Sequence, residues 1–133
     1  MKNDEEIKTD IYKVIQGSNL QMEVTGIVKK TKRPRNSKKE DIVISILSNE
    51  NAQLQIATVN VNIYVQDEMV DNQPEEKTKR CDQLCKLAEK LFDVFRGDGY
   101  RARLLRQRVY EIEGADEHVI NNKIEYKIVN ERL

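Results

Sequence analysis

Apolar residues recur at two different spacings along this chain, and the change of spacing divides it into elements. Ile7, Ile11, Val14 and Ile15 fall on one stripe of a 3.6-residue period, which predicts an amphipathic helix over "NDEEIKTDIYKVIQGS". Asn3 or Asp4 can cap its start, the acids of its first turn suit the helix dipole, and Gly17 is a natural stop. "LQMEVTGIVKK" then reads as a first strand. "DIVISIL" carries apolar residues on both faces, Ile42, Ile44 and Ile46 against Val43 and Leu47, which predicts a central strand covered on each side. "SNEN" at 48–51 reads as a turn. "AQLQIATVNVNIYVQD" reads as a long strand with Val59, Val61, Ile63 and Val65 on one face and Asn60, Asn62 and Tyr64 on the other. At roughly 3.3 Å per residue it exceeds a normal strand, so a bulge or a projecting hairpin arm is expected.

From Pro74 to Arg96 the spacing becomes helical: Cys81, Leu84, Cys85, Ala88, Leu91, Phe92 and Phe95 form one wide apolar stripe. Pro74 suits the first turn of that helix, and "GDG" at 97–99 suits its end. Two strands close the chain, "YRARLLRQRVYEIE" and "EHVINNKIEYKIVN", joined by a tight turn near Gly114 and Ala115. Ile120, Ile124, Tyr126 and Ile128 share one face, and the change of face at Leu104 and Leu105 predicts a bulge. The expected fold is α+β in one domain over 1–133: a mostly antiparallel sheet of about five strands with two helices packed on one face. The other face of the central strand needs cover too, and a neighbouring subunit is one source of it.

Composition narrows the function. With 38% hydrophobic residues, 5% aromatics and no Trp, the core must be Ile, Val and Leu. Charged residues reach 35%, above the roughly 25% of average domains, so most of the surface is charged. Lys plus Arg equals Asp plus Glu. A dedicated DNA binder is usually clearly basic, whereas a balanced, charge-dense chain suits opposite-charge contacts with other proteins. No apolar run approaches the ~20 residues of a membrane span, and "MKNDEEIKTD" lacks a signal-peptide layout. The chain reads as cytosolic, with Cys81 and Cys85 as free thiols.

Little in the sequence suggests catalysis. Cys81 and Cys85, four apart on a helix, supply at most half a zinc site, and read as small buried hydrophobes in the apolar stripe. His118, the only histidine, has no nucleophile or paired-carboxylate pattern around it. "RGDGYRA" has the wrong element order for a phosphate loop. No enzymatic activity and no cofactor or metal are expected, and neither a membrane nor a small-molecule substrate is implied. The basic segment is the strongest interaction candidate: Lys29, Lys30, Lys32, Arg33, Arg35, Lys38 and Lys39 crowd one loop around Pro34. These cations suit phosphates, although no aromatic interleaves them for base stacking. They equally suit an acidic patch on a partner subunit. Arg101, Arg103, Arg106 and Arg108, with Arg96 close before them, form a second cluster. It suits carboxylates across an interface or ordinary cross-strand pairs within the chain. Asn60, Asn62 and Tyr64 form either a solvated face or a packing surface between neighbours.

The order of motifs resembles the small tail-completion or tail-terminator proteins of long-tailed bacteriophages and prophages. The resemblance runs over about residues 5–130, through "IVKKTKRPRNSKKEDIVISIL", "QIATVNVNIYVQD", "CDQLCKLAEKLF" and "HVINNKIEYKIV". It implies a virion protein, assembled in the host cytoplasm, that forms a homo-oligomeric ring, commonly hexameric. Such a ring caps the tail tube and meets tail-tube and head-connector proteins, with DNA passing through its lumen unread. The loop at 29–39 corresponds in position to an extended loop used in subunit or tube contacts. The alternative is a small nucleic-acid-binding accessory protein acting through that loop.

Overall fold

Helix α1 (Asp4–Ile15) forms where the first apolar stripe lies, in a computed structural model that describes residues 1–51 and 54–129. Asn3 caps it through a reciprocal capping box with Glu6, and Ile7, Ile11 and Ile15 are fully buried. Each such burial contributes roughly 2 kcal/mol. Next come a short helix α2 (Asn19–Glu23), strand β1 (Val28–Lys30), and the long strands β2 (Ile42–Asn51) and β3 (Gln55–Gln66). A small ribbon, β4 (Glu68–Val70) and β5 (Gln73–Glu75), leads into helix α3 (Thr78–Phe92). Strands β6 (Val94–Gly97), β7 (Tyr100–Ile112) and β8 (Glu117–Ile128) complete the described fold.

The main sheet runs β1-β2-β3-β8-β7-β6, antiparallel except for the parallel β1–β2 pair. The α+β class and the mostly antiparallel sheet agree with the sequence reading; the counts do not. Among the described residues the sheet has six strands, with a separate two-stranded ribbon and three helices. The predicted first strand splits because Ser18 caps a turn of helix at Asn19, leaving only Val28–Lys30 extended. "SNEN" is strand, since β2 stays paired with β3 through Asn51. The irregularity expected in the long strand lies in its partner, where the register shifts between Ile46 and Ser48. Pro74 pairs with Met69 in the ribbon instead of opening α3, and Phe95 and Arg96 belong to β6. "GDG" is therefore a β-hairpin turn with Gly99 at φ +73°, a conformation L side chains avoid. The bulge predicted at Leu104 and Leu105 is present, and the β7–β8 turn carries Gly114.

Both long helices pack on one face of the sheet, α1 against β1 and β2, α3 against β6, β7 and β8, with α2 against α3. On that face Ile42, Ile44, Val59, Val61, Ile63, Ile120, Ile124 and Tyr126 meet Leu84, Ala88 and Phe92 of α3 and the isoleucines of α1. Buried polar groups on this side are satisfied. Asn122 donates to the Val61 carbonyl and accepts from Gln107, which also donates to the Cys85 carbonyl on α3. The Tyr126 hydroxyl donates to Asp10 of α1, whose carboxylate pairs with Lys2 Nζ at 2.7 Å.

The start of β2 is pinned from two sides. Arg80 of α3 makes a bidentate bond to Glu40 at 2.8 and 2.7 Å, and it also holds the Glu23 carboxylate and carbonyl at the end of α2. Asp41 accepts from the Ile27 N–H, and Gly26 N–H donates to the Glu40 carbonyl. The approach leaves no room for a side chain at Gly26. A Cβ there would meet the Asp41 carboxylate and sit 2.7 Å from the Glu40 carbonyl. Gly26→Ala should therefore lower the unfolding free energy by about 2 kcal/mol, read as a reduced urea midpoint at unchanged m-value. Wild-type stability in that variant would show that β1 and β2 can part without cost.

Candidate interaction surface

The period of two sends every second residue of the sheet away from the helices, so the open face can be read rung by rung from the register. Val43, Asn62, Asn121 and Arg108 form one rung, and Ser45, Asn60, Lys123 and Arg106 the next. Then come Ser48, Thr58, Glu125, Arg103 and Val94, followed by Glu50, Ile56, Lys127, Arg101 and Arg96. The β2–β3 half is mainly neutral and polar. Asn121 bridges it by donating to the side chains of Asn60 and Asn62 at 3.1 and 2.7 Å. The other half is a band of seven cations: Arg96, Arg101, Arg103, Arg106, Arg108, Lys123 and Lys127.

Within this band Glu125 is the single acid, held below its ordinary pKa: burial pushes it up, and Arg103 and Lys127 outweigh that. Arg103 thus makes the ordinary cross-strand pair. Arg106 faces Lys123, Arg101 faces Lys127, and Arg96 faces Arg101. Like charges directly opposite destabilise a sheet, so this surface is held against its own repulsion. Val94 and Leu105 are exposed among the cations. A recess of about 200 Å³ opens at Val94, Arg101, Arg103, Glu125 and Lys127.

The sequence-predicted basic loop divides into two populations. Lys29 and Lys30 are in β1, and Lys30 pairs with Glu5 at 2.7 Å and lies over the Tyr12 ring. Arg33 folds inward across the open face. Its Nε bonds Asp41 at 2.9 Å, its Nη1 pairs with Glu117 at 2.6 Å, its Nη2 donates to the Lys39 carbonyl, and its guanidinium lies 4.4 Å from the Tyr64 ring centroid. Tyr64 is therefore covered by the chain's own arginine, unlike Asn60 and Asn62. Lys29, Lys32, Arg35, Lys38 and Lys39 are exposed, without an acidic partner among the described residues.

At the far end of the sheet, where Arg33 of the basic loop reaches Glu117, two segments have the opposite sign. The ribbon and the β7–β8 turn meet there, with Asp67 N–H donating to the Asp116 carbonyl and the Asp67 carboxylate 2.6 Å from His118 Nδ1. Residues 66–76 and 109–118 contain no Lys or Arg, and Glu68, Asp71, Glu75, Glu111, Glu113 and Asp116 are exposed. Burial pushes the Cys81 thiol up to about 12 and the Cys85 thiol to about 11, as suits residues packed under α3. Among the described residues no three metal-ligating side chains converge.

Sequence reasoning missed Asn121, Lys123 and Lys127, although the alternation in "NNKIEYK" could have found them. It also missed the Arg33–Glu117 and Arg80–Glu23 pairs, whose partners lie far apart in the chain and leave no local signal. No protein-family model and no curated protein sequence matches this chain.

Burial pushes the Asp41 carboxyl up, but Ser37, Arg33 and the Ile27 N–H outweigh it, so Asp41 titrates below its ordinary range. Its contribution to stability is complete above about pH 4 and is lost as the pH falls further. Arg33→Ala should cost about 3 kcal/mol at pH 7, because Asp41 and Glu117 lose a buried partner. That cost should shrink as the pH is lowered, because Asp41 without its arginine protonates more readily; urea titrations at pH 7 and pH 3 measure it. An equal cost at both would show that the ion pairs do not carry the effect.

Proposed function

We propose that this protein is a structural subunit of the tail-terminator or head–tail joining kind, closing a ring with its own copies at the end of a phage or prophage tail tube. One observation carries the reading: among the described residues the sheet is covered by helices on one face only, and its open face bears a cationic band whose like charges oppose one another. A surface of that kind gains stability when an acidic protein surface covers it. The chain as a whole is neutral, so its carboxylates must gather elsewhere, and many do so at the far end of the sheet. A ring subunit presents one patch to the next copy and a different patch to the previous one, the heterologous arrangement that such a separation of charge suits. Tail-tube and head-connector proteins are then its further partners, with DNA crossing the lumen unread.

The exposed cations of the 29–39 loop favour a second reading, a nucleic-acid-binding accessory protein. Filter binding with duplex DNA at two salt concentrations tests it. Neutralising Lys29, Lys32, Arg35 and Lys38 together should then weaken binding and flatten the salt slope.

The ring reading predicts concentration-dependent assembly in sedimentation velocity and rings of uniform diameter in negative stain, free or seated on purified tube ends. A protein that stays monomeric at high concentration and leaves tube ends bare would reject it.

A further inference from the structure

The β4–β5 ribbon is a built projection. Asp71 and Asn72 both take positive φ, 51° and 64°, as a two-residue hairpin turn of the primed type requires. The base of the ribbon is tied to the sheet through Asp67, bonded to Asp116 and His118. It displays Met69, 67% exposed, opposite Pro74 on one face and Glu68 opposite Glu75 on the other, with Asp71 at the tip and no cation on either strand. The open face of the sheet carries the complement: exposed Val94 at the recess, ringed by Arg96, Arg101, Arg103 and Lys127. A thin ribbon with an apolar face and an acidic back and tip complements an apolar hollow with a basic rim, and the two lie at different places on one molecule. A contact repeated from copy to copy joins them head to tail, and closes a ring where the rotation allows.

Resting on the ring reading above, we propose that the β4–β5 ribbon of one copy docks on the cationic sheet face of the next, with Met69 seated beside Val94. Apolar anchors within a charged rim carry most of the energy of such contacts, while the charges fix partner and orientation. Glu111, Glu113 and Asp116 extend the acidic surface behind the ribbon toward Arg106 and Arg108 of the neighbour.

Two charge-reversed proteins test this. One carries Glu68→Lys, Asp71→Lys and Glu75→Lys; the other carries Arg96→Glu, Arg101→Glu and Arg103→Glu. All six positions are exposed, and circular dichroism and thermal melts are to check that each variant folds. Each protein alone should sediment as a monomer where the wild type assembles, free or on tube ends. Mixed, they should assemble again, because the wild-type contact and the doubly reversed one then alternate from copy to copy. Combining all six changes in one chain should restore assembly. Met69→Ala should weaken association about tenfold. Reversed proteins that assemble like wild type would overturn the docking proposal and leave the ring reading standing. A wild-type protein that fails to assemble at all would overturn both. Retained self-association, with duplex DNA binding lost on reversing the sheet-face cations, would assign the band to phosphates and overturn the proposal.

Discussion

Alternation along the strands is the constraint from which the rest follows. Each residue pair of β3, β7 and β8 sends one side chain toward the helices and one away from them, and only the first kind finds cover. The aliphatic residues therefore sit at one parity: Val59, Val61 and Ile63 on β3, Ile120 and Ile124 on β8. The opposite parity is free to carry any charge, and on β7 and β8 it carries mostly Arg and Lys. A bulge shifts parity by one residue, and the one at Leu104 keeps Arg106 and Arg108 on the same face as Arg101 and Arg103. Without it the later arginines would point into the core.

The same rule operates at the entry to β2. Glu40 and Asp41 are adjacent, so their side chains diverge, one toward the helices and one toward the open face. Arg80 receives the first and Arg33 the second. Burial raises both carboxyl pKa values, but the bonds from Arg80, and from Ser37 and Arg33, more than offset it. Two ion pairs thus fix the strand's position in depth, and the glycine at 26 lets β1 lie close beside it. Arg33 is a conspicuous member of the cationic loop by composition, yet it is an internal brace by geometry.

What was legible in the sequence was the periodic part. The α1 stripe, its cap, the core face of β3 and the β7 bulge all leave local patterns, and all are present. What was not legible depended on capping and pairing. Ser18 turns "NLQME" into helix, and strand pairing carries β2 through "SNEN", where composition suggests a turn. Pro74 is compatible both with a helix start and with the ribbon, and partnership with Met69 decided for the ribbon. On the candidate surface the arginines of β7 were visible as a cluster. Their neighbours Lys123 and Lys127 were hidden, because only the β7–β8 register makes them adjacent.

The two bulges have a consequence for how the sheet is bounded. Among the described residues β1 accompanies β2 only to Ile44, and β6 accompanies β7 only through Tyr100–Arg103, so both long strands run on without a strand partner on that side. Each is deformed almost at once beyond that point, β2 after Ile46 and β7 after Leu104. A bent, locally twisted margin is a poor template for an incoming extended chain, and on β7 arginines add charge to it. The long borders are thereby ill suited to fibril-type growth from their margins.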